Sequence, residues 1–105
     1  MYIEKVEKEL YHIKQAAQQI GSFRFVDLGE GKRKLESLKM NENISAAHIL
    51  GVFELIQLYA KEEGFSEIHV TSHSELLDNI LHYQNFIQKD VEKDLWIFTV
   101  ANKEM

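Results

Sequence analysis

The stretch Tyr59-Ala60-Lys61-Glu62-Glu63-Gly64-Phe65-Ser66-Glu67-Ile68-His69-Val70-Thr71 changes its period in the middle. Upstream of it Ile49, Val52, Phe53, Ile56 and Ala60 recur at steps of three and four, and Leu50, Leu55 and Leu58 widen the stripe. That spacing predicts a helix from about Ser45 to Glu63, broadly covered by its surroundings. Gly64 stands where a helix ends in a left-handed residue, a conformation glycine adopts without a Cβ clash. From Glu67 to Ser72 the period falls to two, with Ile68 and Val70 on one side and His69 and Thr71 on the other, so a strand follows. Helix, glycine turn and strand in this order place the chain among α/β folds.

Downstream, Ser72-His73-Ser74-Glu75 has the serine and glutamate spacing of a capping box. It predicts a helix through roughly Phe86, with Leu77, Ile80, Leu81 and Tyr83 inside. A short strand or loop precedes Leu95 to Val100, a run apolar on both faces and therefore a buried strand. Upstream, Ser22 to Leu28 and Lys34 to Met40 flank the turn Gly29-Glu30-Gly31-Lys32, a hairpin pattern, and Asn41-Glu42-Asn43 offers caps for the long helix. At the start of the chain Ile3, Val6, Leu10, Ile13, Ala17 and Ile20 alternate steps of three and four, which predicts a first helix over residues 3–20 stopped by Gly21. The expected architecture is a mixed sheet of about four to five strands flanked by helices. One domain over residues 1–105 is expected, divided into an N-terminal helix (1–21) and a core (22–105).

With 45% apolar and 28% charged residues in 105, the chain has enough to bury and enough to stay wet, which excludes disorder. A net charge of −5, with no basic cluster beyond Lys32-Arg33-Lys34, argues against nucleic acid and against an anionic membrane surface. Met1 to Glu7 has neither a basic nor a continuous apolar region, so no secretory signal is read and the cytoplasm is the expected compartment. Without cysteine there are no disulfides, thiolate nucleophiles or Cys-held zinc. His12, His48, His69, His73 and His82 show no metal-ligand spacing, so no metal is expected.

From about Lys34 to Ala101 the chain resembles the GNAT superfamily of acyl-CoA N-acyltransferases. Leu35 to Met40 looks like that family's fourth strand, Tyr59 to Thr71 the end of its central helix and the next strand, His82-Tyr83-Gln84 its aromatic-tyrosine step, and Trp96 to Val100 its last strand. The resemblance implies a cleft between two parallel strands that open into a V, and acetyl-CoA as cofactor. It implies that Met40, Ser45, Ala46, Ala47, His48, Ile49 and Leu50 surround the pyrophosphate, whose charge main-chain amides at a helix N-terminus attract. The family pattern there is Arg or Gln, two residues, Gly, one residue, then Gly or Ala. In Ile44-Ser45-Ala46-Ala47-His48-Ile49-Leu50-Gly51, His48 and Leu50 occupy positions that should be small. The resemblance further implies Tyr83 as the acid that protonates the departing thiolate and Glu36 as the base for an amine acceptor. Leu76 and Asn79 depart from its Asn and Ala, and Ile87-Gln88 from its Gly-Phe.

Two other readings follow from the same residues. The three-four stripe of residues 3–20 fits barely more than two heptads of a coiled-coil seam, which points to a non-catalytic relative acting as a homodimer or through a protein partner. The order hairpin, helix, strand, helix is also similar to ribonuclease H. There His73 and His48 would replace a metal-binding Asp and a Glu and leave the domain inactive.

Overall fold

The computed structural model describes residues 1–41 and 45–100; Glu42 and Asn43, read as helix caps, lie outside them, as do Ile44 and Ala101. The elements are β1 (Tyr2–Lys5), β2 (Leu10–Gln15), β3 (Gln18–Gly29), β4 (Lys32–Met40), α1 (Ala46–Glu62), β5 (Glu67–Thr71), α2 (Glu75–Tyr83), β6 (Ile87–Asp90) and β7 (Leu95–Thr99). They build a mixed seven-stranded sheet in the order β1-β2-β3-β4-β5-β7-β6. Its only parallel pair among the described residues is β4 with β5. The α/β class holds, with more strands than the four to five expected. No helix of the described residues is long and apolar enough to cross a membrane.

The first helix expected over residues 3–20 is instead a pair of hairpins. Leu10 to Gln15 alternates, burying Tyr11 and Ile13 and turning His12 and Lys14 outward, and the period of two wins because aromatic and β-branched side chains pack best on a pleated surface. Ile3 pairs with Ile13, so two members of the apparent helical stripe meet across strands. Gln15 and Gln18 close the β2–β3 ladder, leaving Ala16 and Ala17 as a two-residue turn with φ of 53° and 68°. Both values are those of a type I′ turn, normally the province of Asn and Gly. Gly21 ends no helix. It lies inside β3, where a Cβ would come 2.7 Å from the Lys39 carbonyl oxygen and 2.7 Å from Met40 Sδ.

The expected hairpin between Ser22 and Met40 forms, turning at Glu30 and Gly31. α1 starts one residue after Ser45, its N-cap, and Gly64 follows it with φ of +78°. α2 is shorter than expected at both ends: Ser74, not Ser72, is the N-cap, and the helix stops at Tyr83. The stretch left as strand or loop is the edge strand β6, and β7 lies in the interior between β5 and β6.

Both helices cover the same face of the sheet. Val52, Phe53, Ile56 and Ala60 of α1 and Ile80 and Leu81 of α2 join Tyr11, Ile13, Phe23, Phe25, Leu35, Ile68, Val70 and Trp96 in one core. An aromatic chain runs through it: Tyr11 stacks on Phe23 at 5.2 Å, and Phe25 meets Phe65 edge-on at 5.6 Å. Under α2, Phe86 meets Phe53 at 6.1 Å and Phe98 at 5.4 Å. The alternate strand positions carry charge to the other face, where Lys14–Glu4, Lys34–Glu36 and His69–Glu67 pair at 3.4, 3.4 and 2.8 Å. No helix among the described residues covers that side.

Two outcomes test this account. Ala16→Asn with Ala17→Gly supplies the residues that a type I′ turn favours and should raise the unfolding free energy by about 1 kcal/mol in urea titration. Burial, with the adjoining Tyr11 and the Glu63 carboxylate, pushes the Tyr59 hydroxyl up from 10.0 to about 12. The unfolded chain therefore releases this proton first, and the contribution is intact below pH 10 and is lost as pH rises from about 10 to 12. Denaturation at pH 9 and pH 11 should show a loss on the order of 1–2 kcal/mol, smaller in Tyr59→Phe.

Candidate functional site

The parallel pair β4–β5 stays together for only three rungs, Lys32↔Glu67, Arg33↔Ile68 and Lys34↔His69. On its other side β4 remains bonded to β3 as far as Gly21↔Met40. Between Arg24↔Glu36 and Ser22↔Lys39 the register slips, so Ser37 and Leu38 together face Phe23, and Ser37 takes φ of 56°. Such a bulge raises the local twist and bends its strand. β4 follows β3 and leaves β5, and the two parallel strands open into a V.

The V holds a cleft of about 640 Å³, within the usual range for small-molecule sites. Leu35, Glu36, Ser37, Leu38 and Met40 form one wall and Val70 and Thr71 the other. Ile49 and Phe53 of α1 and Leu77 and Ile80 of α2 complete it, with His73 and Ser74 between β5 and α2. The beginning of α1 lies beside the cleft. Ser45 Oγ accepts the His48 N–H at 3.3 Å, and the Ser45 carbonyl accepts the Ile49 N–H at 3.1 Å. The amides of Ala46 and Ala47 belong to the first turn, whose N–H groups have no partner within a helix.

The residues proposed for the cofactor divide between two places. Met40 and Ile49 line the cleft. His48 lines an adjoining pocket of about 420 Å³ with Met1, Gln18, Gln19 and Asn41, and Met40 lines both. Ser45 and Ala47 are exposed, Ala46 opens α1, and Leu50 packs against the core.

Of the two residues proposed for proton transfer, Glu36 lines the cleft, with its Oε2 3.4 Å from Lys34 Nζ. Tyr83 does not line it. As the last residue of α2 it is 71% exposed, and the structure does not bring it together with Glu36. The backbone accounts for this. A Gly-Phe step suits a left-handed residue followed by a buried aromatic. That pair is Asn85, with φ of 71°, and Phe86, 2% exposed, two residues before Ile87-Gln88.

Thr71 and His73 also line the cleft; His73 enters the sequence reading only as a possible metal ligand and in the ribonuclease-like alternative, and Thr71 is not singled out there. Their signal was positional: ligands of α/β sheets bind beyond the carboxyl ends of the strands, where β5 gives way to α2.

No family profile matches the sequence, and no curated protein is similar to it at the sequence level. Solved structures are similar in fold. The N-terminal domain of a ribosomal-protein-alanine acetyltransferase from Clostridium acetobutylicum superposes with a TM-score of 0.66 at 16% identity, over 92% of this chain and 88% of that one. A GNAT-family acetyltransferase from Staphylococcus aureus gives 0.61 at 10% identity, over 88% of this chain and 67% of that one. This chain has the GNAT fold. The N-acetylglutamate synthase of Neisseria gonorrhoeae, complexed with coenzyme A and N-acetylglutamate, gives 0.68 at 9% identity, and this chain spans 26% of it. The V between β4 and β5 is thus the opening that the GNAT resemblance implies and the ribonuclease-like reading does not.

Asn85→Gly should stabilise the protein by about 1 kcal/mol, since glycine takes the left-handed backbone without strain. Thermal denaturation measures it.

Proposed function

We propose that the V-shaped cleft binds an acyl-CoA thioester and that the chain is a compact GNAT-like N-acyltransferase. The observation that carries this reading is the parting of β4 and β5 after Lys34. Beyond that point the two strand edges that face each other no longer exchange hydrogen bonds. They can instead pair with an extended, amide-bearing chain laid between them, as an added strand would. The pantetheine arm of coenzyme A is such a chain. The donor set at its far end also fits: the N-terminal amides of α1 offer partial positive charge to a pyrophosphate, and His48, in the glycine-free run at residues 45–50, lines the adjoining pocket. The similarity to a synthase complexed with coenzyme A supports the same cofactor.

When bound, the cofactor supplies an acyl group activated as a thioester. The protein's part is to hold it and to present an amine. Glu36, on the cleft wall, is the carboxylate that attracts a cationic amine, with Lys34 fixing its orientation. One observation favours a second reading, a non-catalytic relative acting by homodimer or partner binding. The four residues Val6 to Glu9 join β1 directly to β2, so among the described residues no helix before β3 walls off an acceptor pocket.

Thermal melting with acetyl-CoA separates the two. At a hundred times the dissociation constant the ligand should add about 2.7 kcal/mol of stability. Thr71→Trp, at an exposed position on the cleft wall, should fold normally and abolish the shift. Wild-type protein without a shift would leave only the second reading.

A further inference from the structure

We propose that His73 is the group that moves the proton in the cleft, taking it from the acceptor amine and delivering it to the departing sulfur. The inference rests on the acyl-CoA reading and adds to it a residue that the family pattern does not point to in this chain.

Three observations converge on His73. It lines the cleft just beyond the carboxyl end of β5, exposed to the opening, and Glu36 lines the same cleft. Its backbone is pinned on both sides. Ser72 Oγ donates to the Ser74 carbonyl at 3.0 Å and accepts the Ser74 N–H at 3.4 Å, while the Ser72 N–H donates to the Asp94 carbonyl at 3.0 Å. Ser72 is 5% exposed and Ser74 caps α2, so the residue between them is carried by buried structure on one side and a helix start on the other. Finally, the other candidates are compromised: Tyr83 is outside the cleft, and the Glu36 carboxylate is shared with Lys34. Among the described residues no second imidazole lines the cleft. Imidazole is the side chain most often used to accept and return a proton in catalysis.

The step balances without a further reagent. An ammonium attracted to Glu36 first releases its extra proton to solvent; the neutral amine nitrogen then bonds to the acyl carbon and the carbon–sulfur bond breaks. The proton lost by nitrogen passes to the imidazole and from there to the sulfur, giving an amide and a free thiol.

The chain's lack of cysteine permits a direct test with bromoacetyl-CoA, whose electrophilic carbon sits where the acyl group would be. Neutral imidazole displaces the bromide and keeps the carbon. Peptide mass spectrometry should find one adduct per chain, on His73, suppressed by excess coenzyme A and absent from His73→Gln. With acetyl-CoA and glycinamide, protein-dependent thiol release should fall at least tenfold in His73→Gln, whose melting shift with coenzyme A should match that of the wild type. A normal melting shift with the label on another residue, or with thiol release unchanged in the variant, overturns the assignment to His73 alone. No melting shift for the wild type overturns the acyl-CoA reading, and this proposal with it.

Discussion

Strand β4 has two neighbours that lie at an angle to each other, and it cannot follow both. It stays with β3 to its last residue and gives up β5 after three rungs. The bulge at Ser37 and Leu38 makes that choice possible, because one extra residue lets the strand turn without breaking the β3 ladder. Gly21 is the counterpart on β3, since any side chain there would strike the Lys39 carbonyl just where the bulged strand returns. Everything of chemical interest in the molecule follows from this parting. It opens the cleft, exposes two strand edges to it, and sets the start of α1 and the β5–α2 turn at its rim.

The sequence declares the elements whose signals are local and unshared. α1 has a broad apolar stripe and a glycine stop, both found where the pattern puts them, whereas its cap is Ser45 and not the Asn41-Glu42-Asn43 run. The hairpin through Glu30 and Gly31 carries its own turn glycine. The first twenty residues are different, because their apolar residues satisfy two periods at once. Ile3, Ile13 and Ile20 fit a helical stripe, whereas Tyr11 and Ile13, the residues that fill the core, fit a strand. A turn signal would have settled the matter, but Ala16 and Ala17 adopt a left-handed backbone without any residue that advertises it. Tertiary packing overrides a helical pattern here, as pairing with β3 buries the aromatic side and leaves the charged side wet.

The site was legible to the extent that it is made of backbone. The cleft between two parallel strands and the helix start beside it follow from element order, which the resemblance supplied. Side-chain positions were less legible, since spacing within a short helix shifts by residues when its end is misplaced. α2 stops at Tyr83 and not at Phe86, so Tyr83, expected inside, ends the helix in solvent. His73 was masked in another way, since a histidine in a turn gives no periodic signal and only topology shows what it faces.

The sheet closes on itself nowhere, and its two outermost strands, β1 and β6, present free ladders to solvent. Each is only four residues long, and each devotes half of them to opposite charges, Glu4 with Lys5 and Lys89 with Asp90. Short, charged borders of this kind offer poor templates for further strands. Among the described residues one broad side of the sheet has no helix over it, and the charged borders still oppose edge-to-edge growth into larger β assemblies.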